Sequence, residues 1–167
     1  ANISNYFLGI ISAKNDHNDQ AHEYLKKVKS LRGNHENYKV QFLRNLILLD
    51  KFNDAFSFSK SVWNEKELFF EADLLIGLEY FKKKDYKNSE KYFKRLNDIS
   101  KYNIYFDNLI GNIFITWNRA AQGKENESFA ALEKIPKQYE HLKKLQRGFL
   151  KCFFDRPDTL IYYEKII

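Results

Sequence analysis

Residues 74–96 read LLIGLEYFKKKDYKNSEKYFKRL, a segment in which lysines are interleaved with tyrosine and phenylalanine. Such interleaving is typical of surfaces that bind nucleic acid, because lysines neutralise phosphates and aromatic rings stack on bases. The spacing favours a different structure. Ser89, Phe93 and Leu96 fall on one stripe of a helix, and the lysines of the same stretch fall on the opposite stripe. We therefore interpret the segment as a helical hairpin whose lysines form its solvated side.

The same pattern recurs along the chain at a fixed interval. Ala21 is followed four residues later by Leu25, and Ser89 is followed four residues later by Phe93. Ala55 lies 34 residues from both Ala21 and Ser89. A pair of apolar or small residues precedes each of these sites, again 34 residues apart: Leu8-Gly9, Phe42-Leu43 and Ile76-Gly77. A constant period of this length is typical of a repeat protein.

The repeat resembles the tetratricopeptide repeat (TPR), whose 34-residue unit has the form W-x2-L-G-x2-Y, then A-x3-F, then P. The best copy is Ile76-Gly77-x2-Tyr80 followed by Ser89-x3-Phe93. The resemblance implies an all-α fold, a right-handed α-α superhelix or TPR-like solenoid of four to five helical hairpins. Small residues at the Gly77 and Ser89 sites allow the two helices of a hairpin to approach closely.

We predict a single repeat domain over residues 1–167. Its units span about residues 3–34, 36–66, 67–101, 106–136 and 137–167. An insertion of about five residues, 100–105, separates the third unit from the fourth. The first three turns each bring Asp or Asn to the start of a second helix, where these residues favour an N-cap. The predicted turns are Asp16–Asn18, Asp50–Asn53, Asp85–Asn88, Gly123–Glu125 and Asp155–Asp158.

The departures from the family pattern are also clear. The sites expected to hold Trp contain Asn5, Lys39 and Asp73 instead. The second repeat lacks both the Gly and the Tyr. The resemblance therefore covers nearly the whole chain but is specific only in residues 5–99.

Composition limits the class of protein. The chain has 167 residues, of which 44% are hydrophobic, enough for a substantial core. No apolar run approaches the roughly 18 residues that a membrane-spanning helix needs. The net charge is +6, but only six of the 28 basic residues are arginine, the residue that phosphate-reading proteins usually favour. The chain opens Ala1-Asn2-Ile3-Ser4 without Met, so we expect a processed product or a piece of something longer.

Side chains that could carry chemistry are few. His17, Asp19, His22 and Glu23 form the one cluster similar to a metal site, but the two histidines are five apart and do not share a helix face. We interpret the cluster as a helix start. Neither a Gly-rich phosphate loop nor a G-x-S-x-G motif occurs in the sequence. The sequence therefore predicts no catalytic residue, no metal and no cofactor, and hence a protein that is not an enzyme.

The remaining histidines and the cysteine are predicted to be structural or inert. His35 and His141 stand alone, as surface residues do. Cys152 lies among leucine and phenylalanine, an apolar environment that leaves a thiol unreactive. A single cysteine forms no intrachain disulfide, which is compatible with a reducing compartment and favours the cytoplasm.

The resemblance implies a function as a scaffold that binds another protein or peptide. Stacked hairpins present an extended concave face, lined by the first helix of each hairpin. The predicted groove residues are Tyr6, Ile10, Lys14, Arg44, Ile47, Leu78, Phe81, Lys82 and Trp117. The positions at which some family members grip a partner's C-terminal carboxylate hold Tyr6, Ile10, Leu74 and Leu78, so that clamp is not expected here. For Phe81 and Trp117, packing between hairpins is the alternative interpretation.

Two other functions stay open at this point. One is a basic module that binds RNA or DNA through the Lys82–Lys101 region. The other is a repeat domain of a larger enzyme whose catalytic part lies outside this sequence.

Overall fold

The computed structural model describes residues 2–100 and 108–165 of the protein. Within these residues the chain is all-α, with ten α-helices, two short 3-10 helices and no strand. The helices are α1 (Asn2–Lys14), α2 (Asn18–Lys26), α3 (Glu36–Leu48), α4 (Phe52–Val62), α5 (Phe70–Lys82), α6 (Tyr86–Ser100), α7 (Ile110–Ala120), α8 (Glu125–Glu133), α9 (Glu140–Phe153) and α10 (Thr159–Glu164). The 3-10 helices span Lys29–Gly33 and Lys137–Tyr139. The chain divides into two compact units, an N-terminal unit of residues 1–76 and a C-terminal unit of residues 77–167.

The helices follow one another in pairs, and each pair is joined by the same kind of turn. A residue with positive φ lies in every one of these five turns, where it ends the first helix of the pair. These residues are Asp16 (φ 59°), Asp50 (φ 55°), Lys84 (φ 60°), Gly123 (φ 72°) and Asp155 (φ 50°). The backbone N–H of the next residue donates to the carbonyl five positions back, as in a Schellman motif. The bonds run from His17 to Ser12, Lys51 to Leu46, Asp85 to Tyr80, Lys124 to Arg119 and Arg156 to Lys151.

The spacing between the turns shows the length of each repeat from the backbone alone. The positive-φ residues are 34, 34, 39 and 32 positions apart. Four of the positive-φ residues lie inside the predicted turns, and Lys84 directly precedes the predicted Asp85–Asn88 turn. The longer third interval agrees with the predicted extra residues. The segment to which that insertion was assigned, 100–105, falls outside the described side chains. The consecutive helix pairs are consistent with a helical repeat.

The predicted N-caps are only partly correct. The side chain of Asp85 does cap α6, since its Oδ1 accepts a hydrogen bond from the backbone N–H of Asn88 at 3.2 Å. In the first two hairpins the N-cap positions are instead His17 and Lys51, which make no side-chain cap bond. Asp16 and Asp50 hold the positive φ of the preceding turn. Aspartate is favoured at both kinds of position, so the sequence signal alone does not distinguish them.

The core of the N-terminal unit lies between α1, α2, α3 and α4. Its fully buried members include Leu25, Tyr38, Leu43 and Ala55. The Tyr38 hydroxyl donates to the carbonyl of Leu25 at 3.1 Å, and burial raises the pKa of Tyr38 to about 12, although the nearby charge of Arg32 opposes the shift. The N-terminal hairpins are thus joined by a satisfied buried hydroxyl as well as by apolar packing.

The C-terminal unit contains an apolar cluster around α7, α8 and α9. Leu109, Ala120, Leu132, Ile135 and Leu150 are its buried members, each at most 5% exposed. Ser89 and Ser128, at the small-residue site of the repeat, are fully buried as well. The Ser89 hydroxyl donates to the carbonyl of Gly77 at 2.9 Å.

Glycines in the first helices set the distance between the two helices of a hairpin. A Cβ at Gly77 would lie 2.6 Å from the ring of Phe93, and one at Gly9 would lie 2.8 Å from the side chain of Leu25. The small-residue sites were therefore interpreted correctly. In the second hairpin the corresponding positions hold Leu43 in α3 and Ser59 in α4, and both are fully buried. In this hairpin the large residue therefore lies in the first helix and the small residue in the second, the reverse of the first and third hairpins.

Candidate functional site

The groove residues predicted in α1 take part in packing within the N-terminal unit. Tyr6 is half-buried, and its hydroxyl accepts a hydrogen bond from the side-chain amide of Asn37 at 2.7 Å. The Tyr6 ring lies 4.8 Å from the ring of His35. Ile10 packs against the N-terminal core, and Lys14 is exposed. Tyr6 and Ile10 therefore hold α1 against its neighbours and offer only part of their surface to a ligand.

Of the two groove residues predicted in α3, one is exposed and the other packs against the core. Arg44 is exposed and forms a salt bridge with Glu71 at 3.0 Å. Ile47 is partly buried against the N-terminal core. A partner at this position would meet a guanidinium already paired with a carboxylate.

In the C-terminal unit, the predicted residues of α5 lie at the edge of the packed interior. Leu78 is half-buried, and Lys82 is exposed. Phe81 is half-buried, with its ring edge-on to that of Tyr86 at 5.8 Å. Contacts inside the hairpin therefore bury much of the surface of the Phe81 side chain.

Trp117 of α7 contacts the first helix of the next hairpin, α9. Its indole N–H donates to the side-chain oxygen of Gln146 in α9 at 2.8 Å. Its ring is edge-on to Phe153, with the ring centres 5.8 Å apart. Trp117 is thus half-buried, and its position is fixed by one polar contact and one aromatic contact.

Helix α9 carries a row of exposed apolar side chains, the last of which, Phe153, contacts Trp117. Leu145, Phe149 and Phe153 follow one another at intervals of four and so lie on one face of the helix. They are 37%, 49% and 53% exposed. We call Trp117 and these three residues the apolar face. Two aromatic rings left about half in water are unusual in a helix that has a core to pack against.

The orientation of α9 is fixed by contacts on its other sides. A Cβ at Gly148 would lie 2.9 Å from the ring of Tyr163, so α10 approaches α9 closely there. Leu150 is fully buried in the C-terminal core. Lys143 is also buried, and its ammonium donates to the carbonyl of Ile135 at 3.2 Å and pairs with Glu140 at 3.3 Å. The helix thus buries a lysine and exposes phenylalanines, with Gly148 against α10 and Leu150 in the core.

The sequence analysis missed three of the four residues of the apolar face. The positions of the turns in the sequence contain a signal for one of them, Phe149. Ile10, Arg44, Leu78 and Trp117 each precede the positive-φ residue of their turn by six positions, and Phe149 precedes Asp155 by the same interval. The weak repeat pattern of the last hairpin gave no reason to extend the groove that far.

The lysine-rich region of α5 and α6 is partly neutralised by its own carboxylates. Lys83 pairs with Glu79 at 2.6 Å, and both Lys94 and Arg119 pair with Glu90 at 2.9 Å. Phe93 is 1% exposed, and Tyr92 is half-buried and stacked on Tyr80. Lys101, at the end of the predicted nucleic-acid region, lies outside the described residues. Few aromatic faces therefore remain beside these lysines for stacking on bases.

The possible metal cluster does not assemble. Among the residues that the structure describes, no three His, Cys, Asp or Glu side chains are placed to hold a metal ion. His22 is instead 8% exposed and stacks on Phe42, with ring centres 5.7 Å apart. Burial lowers the pKa of His22, and the positive charge of Lys51 lowers it further, while Asn45 opposes both effects.

Two predictions about single residues are wrong. His35 is not a simple surface residue: it is the N-cap of α3, and its Nδ1 accepts a hydrogen bond from the backbone N–H of Tyr38 at 3.1 Å. Cys152 is exposed rather than enclosed by its apolar neighbours. The reason is that α9 turns Phe149 and Phe153 outward, and Cys152 lies on the same side of the helix.

Comparison with known proteins finds no family model that matches the sequence and no curated protein that matches it. Within the described part of the chain, no helix is both long and apolar enough to cross a membrane.

Proposed function

We propose that the protein is a non-enzymatic scaffold that binds a peptide or helix of another protein. The proposal includes a TPR-like arrangement, in which the five hairpins form a right-handed superhelix and their first helices line a concave groove. The observation that carries it is the apolar face, because α9 exposes Leu145, Phe149 and Phe153 at positions that the repeat register assigns to the groove.

The chemistry of the apolar face supports an apolar helix or extended segment as its ligand. Aromatic residues are enriched in the central contacts of protein interfaces, where they bury a large area at a small entropic cost. Trp117 is already fixed by Gln146 and Phe153, so little ordering of this side chain is needed on binding. Side chains at intervals of four on one helix face suit the matching spacing of a partner helix.

Affinity capture with paired variants tests the proposal. The tagged chain is used as bait in lysate of the source cells, with and without nuclease, beside a Leu145→Gln/Phe149→Gln variant. We expect a discrete set of proteins that the wild-type chain retains and this variant loses. The matched control is Leu160→Gln/Ile161→Gln, which removes two apolar side chains that are even more exposed, at 77% and 56%, from α10 of the same unit. The control should retain the same proteins as the wild type.

The single cysteine gives a second readout of the same surface. Cys152 is exposed and adjacent to Phe153, so a ligand on the apolar face should slow its reaction with a maleimide reagent. Capture that is equal for both variants, with Cys152 still fully reactive in the complex, would show that the apolar face is not the binding surface.

Nucleic-acid binding through the Lys82–Lys101 region is the competing function, and the same experiment separates the two. Binding to phosphates weakens steeply as salt rises, because condensed counterions are released on binding. If all retained material disappears with nuclease and with moderate salt, the scaffold proposal fails and the lysines carry the function.

A further inference from the structure

A cleft in the N-terminal unit is lined by several positively charged side chains. It has a volume of about 410 Å³ and lies between α2, the Lys29–Gly33 3-10 helix, the α3–α4 turn and α4. Its basic residues are Lys26, Lys29, Arg32 and Lys51. One carboxylate, Asp54, lies in the same wall. We call this the basic cleft.

The charges of the basic cleft are not neutralised inside the protein. Among the described residues, none of its four cationic side chains forms a salt bridge. This contrasts with the lysine-rich region of α5 and α6, where carboxylates are placed beside the lysines. Four like charges around one concave site repel one another, and an anionic ligand would relieve that repulsion.

The floor of the basic cleft is apolar. Phe42 and Leu46 form it from α3, and Phe58 contributes from α4. The Phe42 ring is covered by the stacked His22 ring, and Phe58 meets it edge-on with ring centres 4.9 Å apart. Ser57 and Ser61 add hydroxyls to the wall. A ligand in the basic cleft therefore meets positive charge at the rim and hydrocarbon below.

We propose that the basic cleft binds an acidic peptide segment of a protein partner, one that carries an apolar side chain among its carboxylates. The carboxylates pair with Lys26, Lys29, Arg32 and Lys51 while the apolar side chain covers the half-buried Phe58. Charge complementarity of this kind sets the specificity and the association rate of protein complexes. The inference does not rest on the proposed function, because the basic cleft belongs to the N-terminal unit and the apolar face to the C-terminal unit.

Two other anionic ligands fit the basic cleft less well. Nucleic acid is held by stacking on exposed aromatic faces as well as by lysines, but Phe42 is 4% exposed and already stacked. A compact phosphate group would feel the repulsion of Asp54 together with the attraction of the cations. An extended peptide can place an uncharged or apolar residue opposite Asp54 and its acids elsewhere.

Fluorescence anisotropy with a rhodamine-labelled peptide tests this inference. The probe has glutamates on both sides of one central leucine, and a matched probe has glutamine in place of every glutamate. We expect the acidic probe to bind and the glutamine probe not to bind. A Lys26→Gln/Lys29→Gln/Lys51→Gln variant should weaken the acidic probe by about tenfold or more, since each exposed ion pair contributes modestly and three are removed.

The control variant is Lys14→Gln/Lys27→Gln/Lys66→Gln, which removes the same charge from the same unit outside the basic cleft. It should bind the acidic probe within about twofold of the wild type, because screening limits the reach of exposed charges. Equal losses in the two variants would show that net charge, not the basic cleft, attracts the probe, and would overturn the inference. A labelled oligothymidine is the second probe. If it binds more tightly than the peptide and loses its affinity only in the cleft variant, the basic cleft is assigned to nucleic acid and the inference is overturned.

Discussion

Close contact at a single glycine decides how far apart the helices of the third hairpin lie. Gly77 has no room for a methyl group, since a Cβ there would lie 2.6 Å from the Phe93 ring and 3.3 Å from the Cβ of Tyr92. Phe93 itself is 1% exposed and has little freedom to move away. Glycine is thus required at this residue for steric reasons, although it is a poor helix former.

We expect Gly77→Ala to lower the free energy of unfolding by about 1–3 kcal/mol, because the overpacking cost exceeds the gain in helix propensity. Urea denaturation followed by circular dichroism measures the change. Gly33→Ala is the control, since nothing lies within 4 Å of a Cβ at Gly33. Similar effects of the two substitutions would mean that the contact with Phe93 does not limit this position.

Glu90 should make the stability of the protein depend on pH. Burial alone would raise the pKa of Glu90, but hydrogen bonds from Arg119 and Lys94 outweigh burial and hold the pKa below its usual value. A carboxylate whose pKa is lower in the folded state stabilises the fold above its unfolded pKa and loses that contribution as pH falls through its folded pKa. We expect Glu90→Gln to cost about 1 kcal/mol near pH 7 and progressively less below about pH 4.5.

Unfolding free energies measured between neutral and acidic pH provide the comparison. In an Arg119→Gln/Lys94→Gln background the pH dependence of the same substitution should reverse, because burial then raises the pKa of Glu90 and the ionised carboxylate no longer stabilises the fold at neutral pH. A cost of Glu90→Gln that stays constant down to strongly acidic pH would contradict the assignment.

At the scale of elements, the five Schellman-type turns define the repeat more clearly than any side-chain pattern. Lys84 adopts a φ of 60° in the third turn, where glycine would be unstrained. We expect Lys84→Gly to raise the free energy of unfolding by about 1 kcal/mol, since a left-handed conformation costs an L-residue more than the added backbone entropy of glycine. Lys91→Gly, at an exposed site in the middle of α6, should have the opposite effect of about the same size.

Thermal and urea unfolding of the two lysine variants distinguish a turn effect from a general effect of losing a lysine. If both variants are destabilised, the positive φ of Lys84 carries no strain that glycine relieves.

The helix pairs were predictable from the sequence, because small residues at a 34-residue period mark the helix contacts and Asp marks the turns. The predictions failed where one signal fits two local structures. Asp16 and Asp50 fitted an N-cap and a left-handed turn equally well. Cys152 lies among apolar residues that point outward, so local composition suggested burial that is not present.

The two binding surfaces were harder to predict for a different reason. Phe149 required the register of the last turn, which the weak repeat in that hairpin obscured. Lys26 and Lys51 are 25 positions apart in the sequence. Only the packing of α2 against α3 and of α3 against α4 brings their segments to one cleft.

At the scale of the whole molecule, the described residues include one apolar cluster in the N-terminal unit and one in the C-terminal unit. Helices that contact mainly their neighbours in sequence form a structure whose stability is distributed locally. Leu150 is a fully buried member of the C-terminal cluster. Its loss should therefore be felt first by the helices around it.

We expect Leu150→Ala to cost about 2–5 kcal/mol in the C-terminal unit, as large-to-small substitutions in a core do. Hydrogen exchange followed by mass spectrometry should show faster exchange in α7, α8 and α9, with α1, α2 and α3 unchanged. Faster exchange to the same degree in all of these helices would show that the two clusters unfold as one cooperative body.

The exchange of large and small residues in the second hairpin limits how the repeats can be shuffled during evolution. Gly9 faces Leu25 and Gly77 faces Phe93, whereas the second hairpin has Leu43 in its first helix and Ser59 in its second. A recombination event with its crossover inside a hairpin would join α3 to a second helix that carries a large residue, or would leave Ser59 opposite a glycine. The first product is overpacked and the second contains a void. Crossovers between hairpins preserve each matched pair, so the heritable module in this chain is the whole hairpin rather than the single helix.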